Sequence, residues 1–436
     1  MPEFIDNLKA ECANRRIPPD YAKCSELIRK LLQILNSAEK GKIKIVGQPE
    51  MNKRLVSAFI LNEHVLLEGL PGVAKTTAVN NLANEAAQFF NRIQFIPDMQ
   101  PSDLIGKRDL KPVGGSFLPE WKDGPLFANL VLADEINRAP SRVQAALLEA
   151  MGEKQITPFG MDKKIIWHEN AKAYLENHPP PEIFKRNGRI NVDSKASTQF
   201  SVFATMNPIE IEGTYPLSEA QVDRFCFKTI VYFPDYDNLL RISDKVFQRQ
   251  DEENASLRSE NVSSRQGSGS NMPTPEDFLL SLYFIQHCRQ QIFERDDKGF
   301  YRHIEQKMIE KMARIVYFSN YKYDDDPETH MNDPEQLGLQ MNLRQEKHAL
   351  AQKLPTDTNF RYIESGSSPR GLESLLKASL CEAFINGDET VKAKHIREAA
   401  YDVLRHRIRL KIQAKTQNIA SVDIIEILLN TFLDEP

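Results

Sequence analysis

Short apolar stretches alternate with helical patterns through the first half of the chain, from Lys42 to about Phe233. Five of these stretches are KIKIVG, HVLLEG, RIQFIP, NLVLADE and SVFATMNP. Short apolar runs without regular polar alternation are typical of parallel strands that helices cover on both faces. The pattern therefore predicts an α/β domain with a parallel sheet over residues 41–235.

Helical spacing of apolar residues marks the regions on either side of this domain. Before it, residues 20–37 predict an amphipathic helix within an N-terminal extension that covers residues 1–40. After it, an all-helical second domain over residues 276–436 is predicted from four periodic segments, 276–294, 303–320, 370–386 and 392–409.

Three polar segments interrupt these patterns. Residues 160–199 are charged and contain the run HPPPEIF, which predicts an insertion in the α/β domain. Residues 236–275 predict a connecting helix and a flexible linker, because they include the tract SSRQGSGSN without apolar periodicity. A further polar insertion is predicted at residues 321–362.

Composition limits where the protein works and what it binds. The 436 residues are 41% hydrophobic and 27% charged, which is sufficient for two or three cores. The formal net charge of -5 argues against general binding to a nucleic-acid backbone. Five scattered cysteines without a CxxC pair favour reduced thiols. Because the chain lacks both an apolar secretion signal and a stretch of about 18 apolar residues, we expect a cytoplasmic protein.

A glycine-rich motif follows the stretch HVLLE and precedes a helical stretch. Its residues are Gly69, Leu70, Pro71, Gly72, Val73, Ala74, Lys75, Thr76 and Thr77. In such a loop, backbone N–H groups face phosphates, a lysine reaches the β- and γ-phosphates, and a hydroxyl ligates magnesium. We predict that all of these residues except Leu70 bind nucleotide, with Lys75 on phosphate and Thr76 on the metal. An ordinary Gly/Pro turn before a helix is the alternative.

Ala74 departs from the general form of this motif, which has glycine before the lysine. A methyl group costs little there if the backbone is helical with a negative φ. Under that condition the loop can still form with alanine.

Two adjacent carboxylates, Asp134 and Glu135, end the apolar run NLVLADE. Strand ends in open α/β sheets point at the ligand crevice. We predict that Asp134 holds magnesium and that Glu135 acts as general base toward the attacking water. The alternative is a solvated acidic pair that caps the next helix.

A third strand, SVFATMNP, ends at Thr205 and Asn207. An amide at this position can orient water, and we predict that role for Asn207. An Asn-Pro turn without a catalytic role is the alternative.

The motifs together resemble those of the MoxR family of AAA+ ATPases. The residues that carry the resemblance are GLPGVAKT, VLADEINRAPSRVQAALLEAMGEKQITPFG, ATMNPIEIEGTYPLSEAQVDRF, GSSPRG and DVLRHRI. The resemblance covers about residues 42–235 and 275–436, and the family form of the loop, GxPGxAKT, also has alanine before the lysine. It implies a P-loop α/β core followed by a helical lid, with ATP and Mg2+ as ligands.

The resemblance also implies roles for single residues. Asn207 would be the water-positioning sensor, Arg370 the second sensor that contacts the γ-phosphate, and Arg224 an arginine finger that reaches the neighbouring subunit's nucleotide. Pairing of Arg224 with Asp223 or another nearby acid is the alternative. Arg138 and Arg142 are two other candidates for a contact between subunits.

The segment PSDLIGKRDLKPVGGSFLPEWKDGPLF is similar to the family's insert in its second helix and predicts a β-hairpin. Its aromatic residues Phe117 and Trp121 either face substrate or the pore of a ring, or pack on the domain as in any hairpin.

At the level of the whole protein, the resemblance implies a homo-oligomeric ring, with a hexamer favoured, that acts as a chaperone-like remodelling or maturation factor. Its client would be a protein that carries a von Willebrand factor A domain. Two other functions remain open. One is a nucleotide-gated scaffold with little turnover, and the other is a nucleic-acid motor. Only the basic residues Lys107, Arg108 and Lys111 support a motor, and three such charges are usually a solvated face.

Overall fold

The computed structural model describes residues 2–13, 18–37, 47–70, 72–113, 116–156, 164–165, 173, 199–207, 214–242, 272–320 and 362–433. The chain divides into two compact units. The first comprises Met1–Phe225 and Thr229–Gln291, and the second comprises Cys226–Lys228 and Ile292–Pro436. Most of the predicted insertions at 160–199 and 321–362 and of the linker at 236–275 lie outside the described residues.

A five-stranded sheet forms the centre of the first unit. Its strands are β1 (Val65–Gly69), β2 (Phe90–Gln94), β5 (Leu130–Asp134), β8 (Ser201–Met206) and β9 (Phe227–Val231), in the order β2-β5-β8-β1-β9. The pairs β2 with β5, β5 with β8 and β8 with β1 are parallel. The predicted parallel sheet is confirmed, and its apolar runs lie in strands such as β5, of which every residue is buried.

Helices cover this sheet, as the unbroken apolar strands require. They are α1 (Glu3–Ala13), α2 (Tyr21–Asn36), α3 (Pro49–Leu61), α4 (Lys75–Glu85), α5 (Pro101–Ile105) and α6 (Ser141–Glu153). The stripe of α6 that includes Val143, Leu147 and Met151 packs into one core with Val131 of β5 and Val202 of β8. The amphipathic helix predicted within residues 20–37 is α2.

The predicted hairpin is present as β3 (Gly106–Val113) and β4 (Ser116–Asp123), which pair antiparallel. Its Gly114-Gly115 turn lies outside the described residues. The short strands β6 (Gln155–Ile156) and β7 (Lys164–Ile165) form another antiparallel pair, and a short helix, α7 (Glu219–Val222), precedes β9.

Helix α8 (Pro275–Ile292) differs from its predicted assignment, since sequence analysis placed residues 276–294 with the second domain. Residues up to Gln291 belong to the first unit. The Phe278 ring lies 5.0 Å from that of Phe89, and Arg289 donates to the Ile60 carbonyl oxygen at 2.8 Å. Helical periodicity indicates that one face of a helix is buried, but it does not indicate which domain that face packs against.

The second unit contains five helices and one small sheet among its described residues. The helices are α9 (Gln306–Ser319), α10 (Pro369–Asn386), α11 (Ala393–Leu404), α12 (Ile412–Thr416) and α13 (Ser421–Leu433). This bears out the helical lid, to which the structure adds the antiparallel pair β10 (Ile363–Ser365) and β11 (Arg409–Leu410). In the described part of the chain, no helix has the length and apolar character that crossing a membrane requires.

His64, just before β1, connects three elements of the first unit. Its Nδ1 accepts from the Val202 N–H at 3.0 Å, and its Nε2 lies 3.0 Å from the Met151 carbonyl oxygen. A ring with one accepting and one donating nitrogen is neutral. Burial, with the nearby Lys154 ammonium adding to it, lowers the pKa of His64 to about 4.

We expect this histidine to make the protein sensitive to acid. Unfolding returns the pKa of His64 to its ordinary value of 6.5, so the unfolded chain takes up a proton as the pH falls below that value, while the folded chain does not until about pH 4. Stability is therefore lost between these two pH values, by about 2 kcal/mol at pH 5. Urea unfolding of wild type and His64→Gln at pH 7.5 and pH 5 measures it. Equal losses of stability in the two proteins would contradict the assignment.

Candidate functional site

The loop between β1 and α4 lies at the carboxyl edge of the sheet. A Cβ on Gly69 would meet the Val231 carbonyl oxygen at 2.5 Å, so this position has no room for a side chain. Gly72 has a φ of 82°, which glycine adopts without strain. Pro71 lies outside the described residues. Helix α4 begins directly after the loop, and Lys75 and Thr76 are its first two residues.

The condition under which alanine costs little at position 74 is not met. Its φ is 62° and its ψ 22°, in the left-handed region rather than the helical one. The Ala74 carbonyl oxygen accepts from the Ala78 N–H at 3.0 Å, so α4 begins directly after this reversed residue. A left-handed alanine costs roughly 1–2 kcal/mol, and this strain is the consequence of an alanine at a position where the chain must curl sharply.

Lys75 is partly buried and folds back over its own loop. Its Nζ donates to the Gly69 carbonyl oxygen at 2.5 Å and to the Leu70 carbonyl oxygen at 3.2 Å. Burial lowers the pKa of Lys75, and the nearby carboxylates of Asp134 and Glu135 act in the opposite direction. The ammonium thus lies beside the loop and close to both acids.

Asp134 and Thr76 meet across the edge of the sheet. The Thr76 hydroxyl donates to Asp134 Oδ2 at 3.2 Å. The same Oδ2 accepts from Arg92 on β2, at 2.7 Å from Nη2 and 3.2 Å from Nε. The two residues predicted to bind magnesium are therefore adjacent.

Glu135 follows Asp134 with a φ of 58°, a second left-handed residue that is not glycine. Its Oε2 accepts from Gln94 Nε2 at 2.7 Å and lies 3.1 Å from Arg138 Nε. It precedes the 3-10 turn Ile136–Arg138 but makes no side-chain capping hydrogen bond there. The capping alternative is therefore not supported. Strained backbone of this kind is concentrated at functional sites.

Thr205 connects the two acids. Its hydroxyl accepts from the Glu135 N–H at 2.9 Å and donates to Asp134 Oδ1 at 2.5 Å. Sequence analysis noted Thr205 only as the end of a strand. The signal that could have found it is the register of the strands. Ala204 pairs with Ala133, so the next residues along the two strands, Thr205 and Asp134, lie side by side.

Three further polar residues of this edge were also missed. Arg92 and Gln94 lie on β2, which pairs with β5 in the register Gln94 with Asp134. Asn137 donates through Nδ2 to the Asn207 carbonyl oxygen at 3.4 Å. Finding them would have required the order of the strands, which the sequence pattern does not contain.

Asn207 directly follows β8 and is buried, so it reaches the same edge of the sheet as the acids. Arg224 follows α7, and its Nη1 donates to the Leu148 carbonyl oxygen. The described partner of Arg224 is thus a backbone oxygen rather than Asp223. Arg142 is exposed, whereas Arg138 pairs with Glu135 of its own chain.

Arg370 is exposed at the start of α10 in the second unit. Its contact with a γ-phosphate stays a prediction, as do the roles of Asn207 and Arg224.

The hairpin presents its aromatic residues differently. Phe117 is 69% exposed, which excludes packing on the domain for this ring. Trp121 is partly buried, and its Nε1 donates to Asp123 Oδ1 at 2.7 Å within the hairpin itself.

Comparison with known proteins agrees with this arrangement. Residues 64–167 and 187–227 match the model of the ATPase family associated with various cellular activities (AAA), and residues 359–428 match the AAA lid domain. The chain is 30% identical over 389 residues to Chaperone MoxR1 of Mycobacterium tuberculosis, an alignment that covers 89% of this chain and 78% of the relative. It is 23% identical to Protein MoxR of Methylorubrum extorquens, with 84% of each chain covered.

A solved structure is also similar. The crystal structure of a putative ATPase from Cytophaga hutchinsonii has a TM-score of 0.62 and 30% sequence identity, and the match covers 94% of both chains. The fold and the edge of the sheet define an AAA+ ATPase, a nucleotide-binding class. Within that class, the chain belongs to the MoxR family.

The structure offers a matched pair of threonines that tests the role of Thr205. Thr205→Val leaves the Glu135 N–H and Asp134 Oδ1 without their partner and should lower the free energy of unfolding by about 1–3 kcal/mol. Thr229 on β9 is also buried, but its hydroxyl has no hydrogen-bond partner in the described part of the chain. Thr229→Val should therefore be neutral or stabilising. Urea unfolding measures both, and equal losses would contradict the assignment.

Proposed function

We propose that this protein hydrolyses ATP with magnesium as a ring, with a hexamer favoured, and that it uses the reaction to remodel or mature partner proteins. The observation that carries the proposal is the contact between Thr76 Oγ1 and Asp134 Oδ2 beside the loop that ends at Lys75. A hydroxyl and a carboxylate oxygen are the hard donors that Mg2+ prefers, so the residues fit the metal.

In the proposed mechanism, the backbone N–H groups of residues 72–77 and the Lys75 ammonium bind the phosphates. Thr76 and Asp134 would hold a magnesium ion, which would supply positive charge to neutralise that of the phosphates. Thr205 fixes the inner oxygen of Asp134 and the backbone of Glu135, so that both carboxylates keep their orientation.

Glu135 then accepts a proton from the attacking water, which the Asn207 amide orients. Arg224 of a neighbouring subunit stabilises the charge that develops during transfer, and Arg370 responds to loss of the γ-phosphate. Rotation of the lid relative to the α/β core would provide the mechanical work.

The chaperone-like role is supported by the name of one relative, Chaperone MoxR1. A client with a von Willebrand factor A domain and a cytoplasmic location are further parts of this proposal. The formal net charge of -5 argues against a nucleic-acid motor, for which Lys107, Arg108 and Lys111 are the feature of the sequence that could be cited.

A scaffold with little turnover is the second candidate, and one observation favours it. Oε2 of Glu135 accepts from Gln94 and lies beside the Arg138 guanidinium, and both contacts oppose the transfer of a proton to this oxygen. If these contacts persist with nucleotide bound, the protein binds ATP without rapid hydrolysis.

Glu135→Gln separates binding from hydrolysis. Without a general base, turnover should fall at least about 100-fold, while the affinity for ATP is kept because the phosphate loop is intact. Phosphate release and equilibrium binding of a fluorescent ATP analogue measure the two effects. Glu294→Gln, a change to an exposed acid in the second unit, is the control and should leave both unchanged. Wild-type ATP binding with negligible turnover would favour the scaffold.

A mixing experiment tests whether Arg224 acts between subunits. Glu135→Gln and Arg224→Ala should each abolish turnover alone. In a 1:1 mixture of randomly assembled rings, about half of the sites keep Glu135, and about half of those have a neighbour that keeps Arg224. About a quarter of wild-type turnover should therefore return. The same mixture made with Arg142→Ala tests the exposed Arg142, another candidate for a contact between subunits. No recovery of turnover in the Arg224 mixture would remove Arg224 from the neighbour's site.

A further inference from the structure

The two oxygens of Asp134 have different surroundings. Oδ1 faces inward and accepts from the buried Thr205 hydroxyl. Oδ2 faces Thr76 and already lies against a full positive charge, the guanidinium of Arg92, at 2.7 Å from Nη2. The oxygen that would hold magnesium together with Thr76 is therefore the oxygen that Arg92 contacts.

Strand pairing fixes this contact. In the parallel pair of β2 with β5, Arg92 lies opposite Leu132 and Gln94 lies opposite Asp134. Side chains two residues apart on a strand point to the same face, so Arg92 and Gln94 extend together toward the acids. Arg92 Nη2 also donates to Gln94 Oε1 at 3.0 Å. Arg92 thus contacts Asp134 while Gln94 contacts Glu135.

The burial of the two partners is unequal. The Arg92 side chain is 50% exposed, whereas that of Asp134 is 11% exposed. Water can therefore solvate the guanidinium at little cost when it leaves Asp134, while the Asp134 side chain stays in place. A half-exposed ion pair of this kind is weak and easily displaced.

Arg92 and a magnesium ion would compete for this oxygen. Magnesium binds oxygen ligands at about 2.0–2.1 Å, so a guanidinium on the same oxygen would lie roughly 4 Å from the metal. Two positive charges at this distance repel each other. Binding of the metal at Asp134 therefore weakens the Arg92 contact and favours its release.

We propose that Arg92 is a positioning residue that competes with magnesium for Asp134 and so sets the magnesium concentration at which the site takes up its nucleotide. The inference rests on the proposed ATP and magnesium site. It has two consequences of opposite sign. Without magnesium, Arg92 neutralises Asp134 and so favours approach of the phosphates. With magnesium, the Arg92 guanidinium repels the metal, which raises the concentration of metal required.

Equilibrium binding tests the proposal without any measure of turnover. Wild type, Arg92→Gln and Arg92→Lys are titrated with a fluorescent ATP analogue in EDTA, and then with magnesium at fixed analogue concentration. For Arg92→Gln, we expect affinity in EDTA to fall, and the magnesium midpoint to fall, each by about three- to fivefold. Arg92→Lys keeps the charge but loses the two-point contact, so its values should lie between the other two.

The matched control is Arg302→Gln, which removes an exposed arginine paired with Glu294 in the second unit and should change neither quantity. A general loss of folding would weaken binding under both conditions, whereas loss of a competing Arg92 weakens binding in EDTA but lowers the magnesium concentration that is required. A magnesium midpoint that is unchanged or higher in both Arg92 variants, with normal binding by wild type, would overturn this inference alone. Failure of wild type to bind the analogue at any magnesium concentration would overturn it together with the proposed function.

Discussion

The hydroxyl of Thr205 joins two strands of the sheet at the point where their acidic residues emerge. It accepts from the Glu135 N–H and donates to Asp134 Oδ1, and both distances lie within the normal range for hydrogen bonds. The orientation of the two carboxylates follows from it. With Oδ1 of Asp134 held inward, only Oδ2 remains for Thr76 and for a cation, and Glu135 is directed toward β2.

Backbone strain accompanies this arrangement on both sides of the edge. Ala74 and Glu135 both adopt left-handed conformations, one at the start of α4 and the other just after β5. Each costs energy that ordinary turns avoid, and each directs a functional group, the start of α4 with Lys75 in one case and the Glu135 carboxylate in the other. Tight packing of the surrounding strands holds these residues in place, since β5 is buried along its whole length.

Much of this could be predicted from the sequence, because strands and loops are local patterns. The apolar runs predicted the sheet, and the phosphate loop and the pair Asp134-Glu135 were found from their neighbours along the chain. Three features could not be found in this way. The φ of Ala74 depends on how the loop closes, the partner of α8 depends on tertiary packing, and the contacts of Arg92 and Thr205 depend on the strand order β2-β5-β8. The resemblance to MoxR proteins implied roles for Asn207, Arg224 and Arg370, and these stay predictions.

The strand β2 lies at the edge of the described sheet, while β5 is held by a neighbour on each side. The acids thus belong to the anchored part of the site, and their partners Arg92 and Gln94 belong to a strand that pairs along one side only in the described sheet. For protein engineering, this separation makes β2 an adjustable control. Substitutions at residues 92 and 94 should change the contacts of Asp134 and Glu135 without disturbing the strands β5 and β8 that orient these acids.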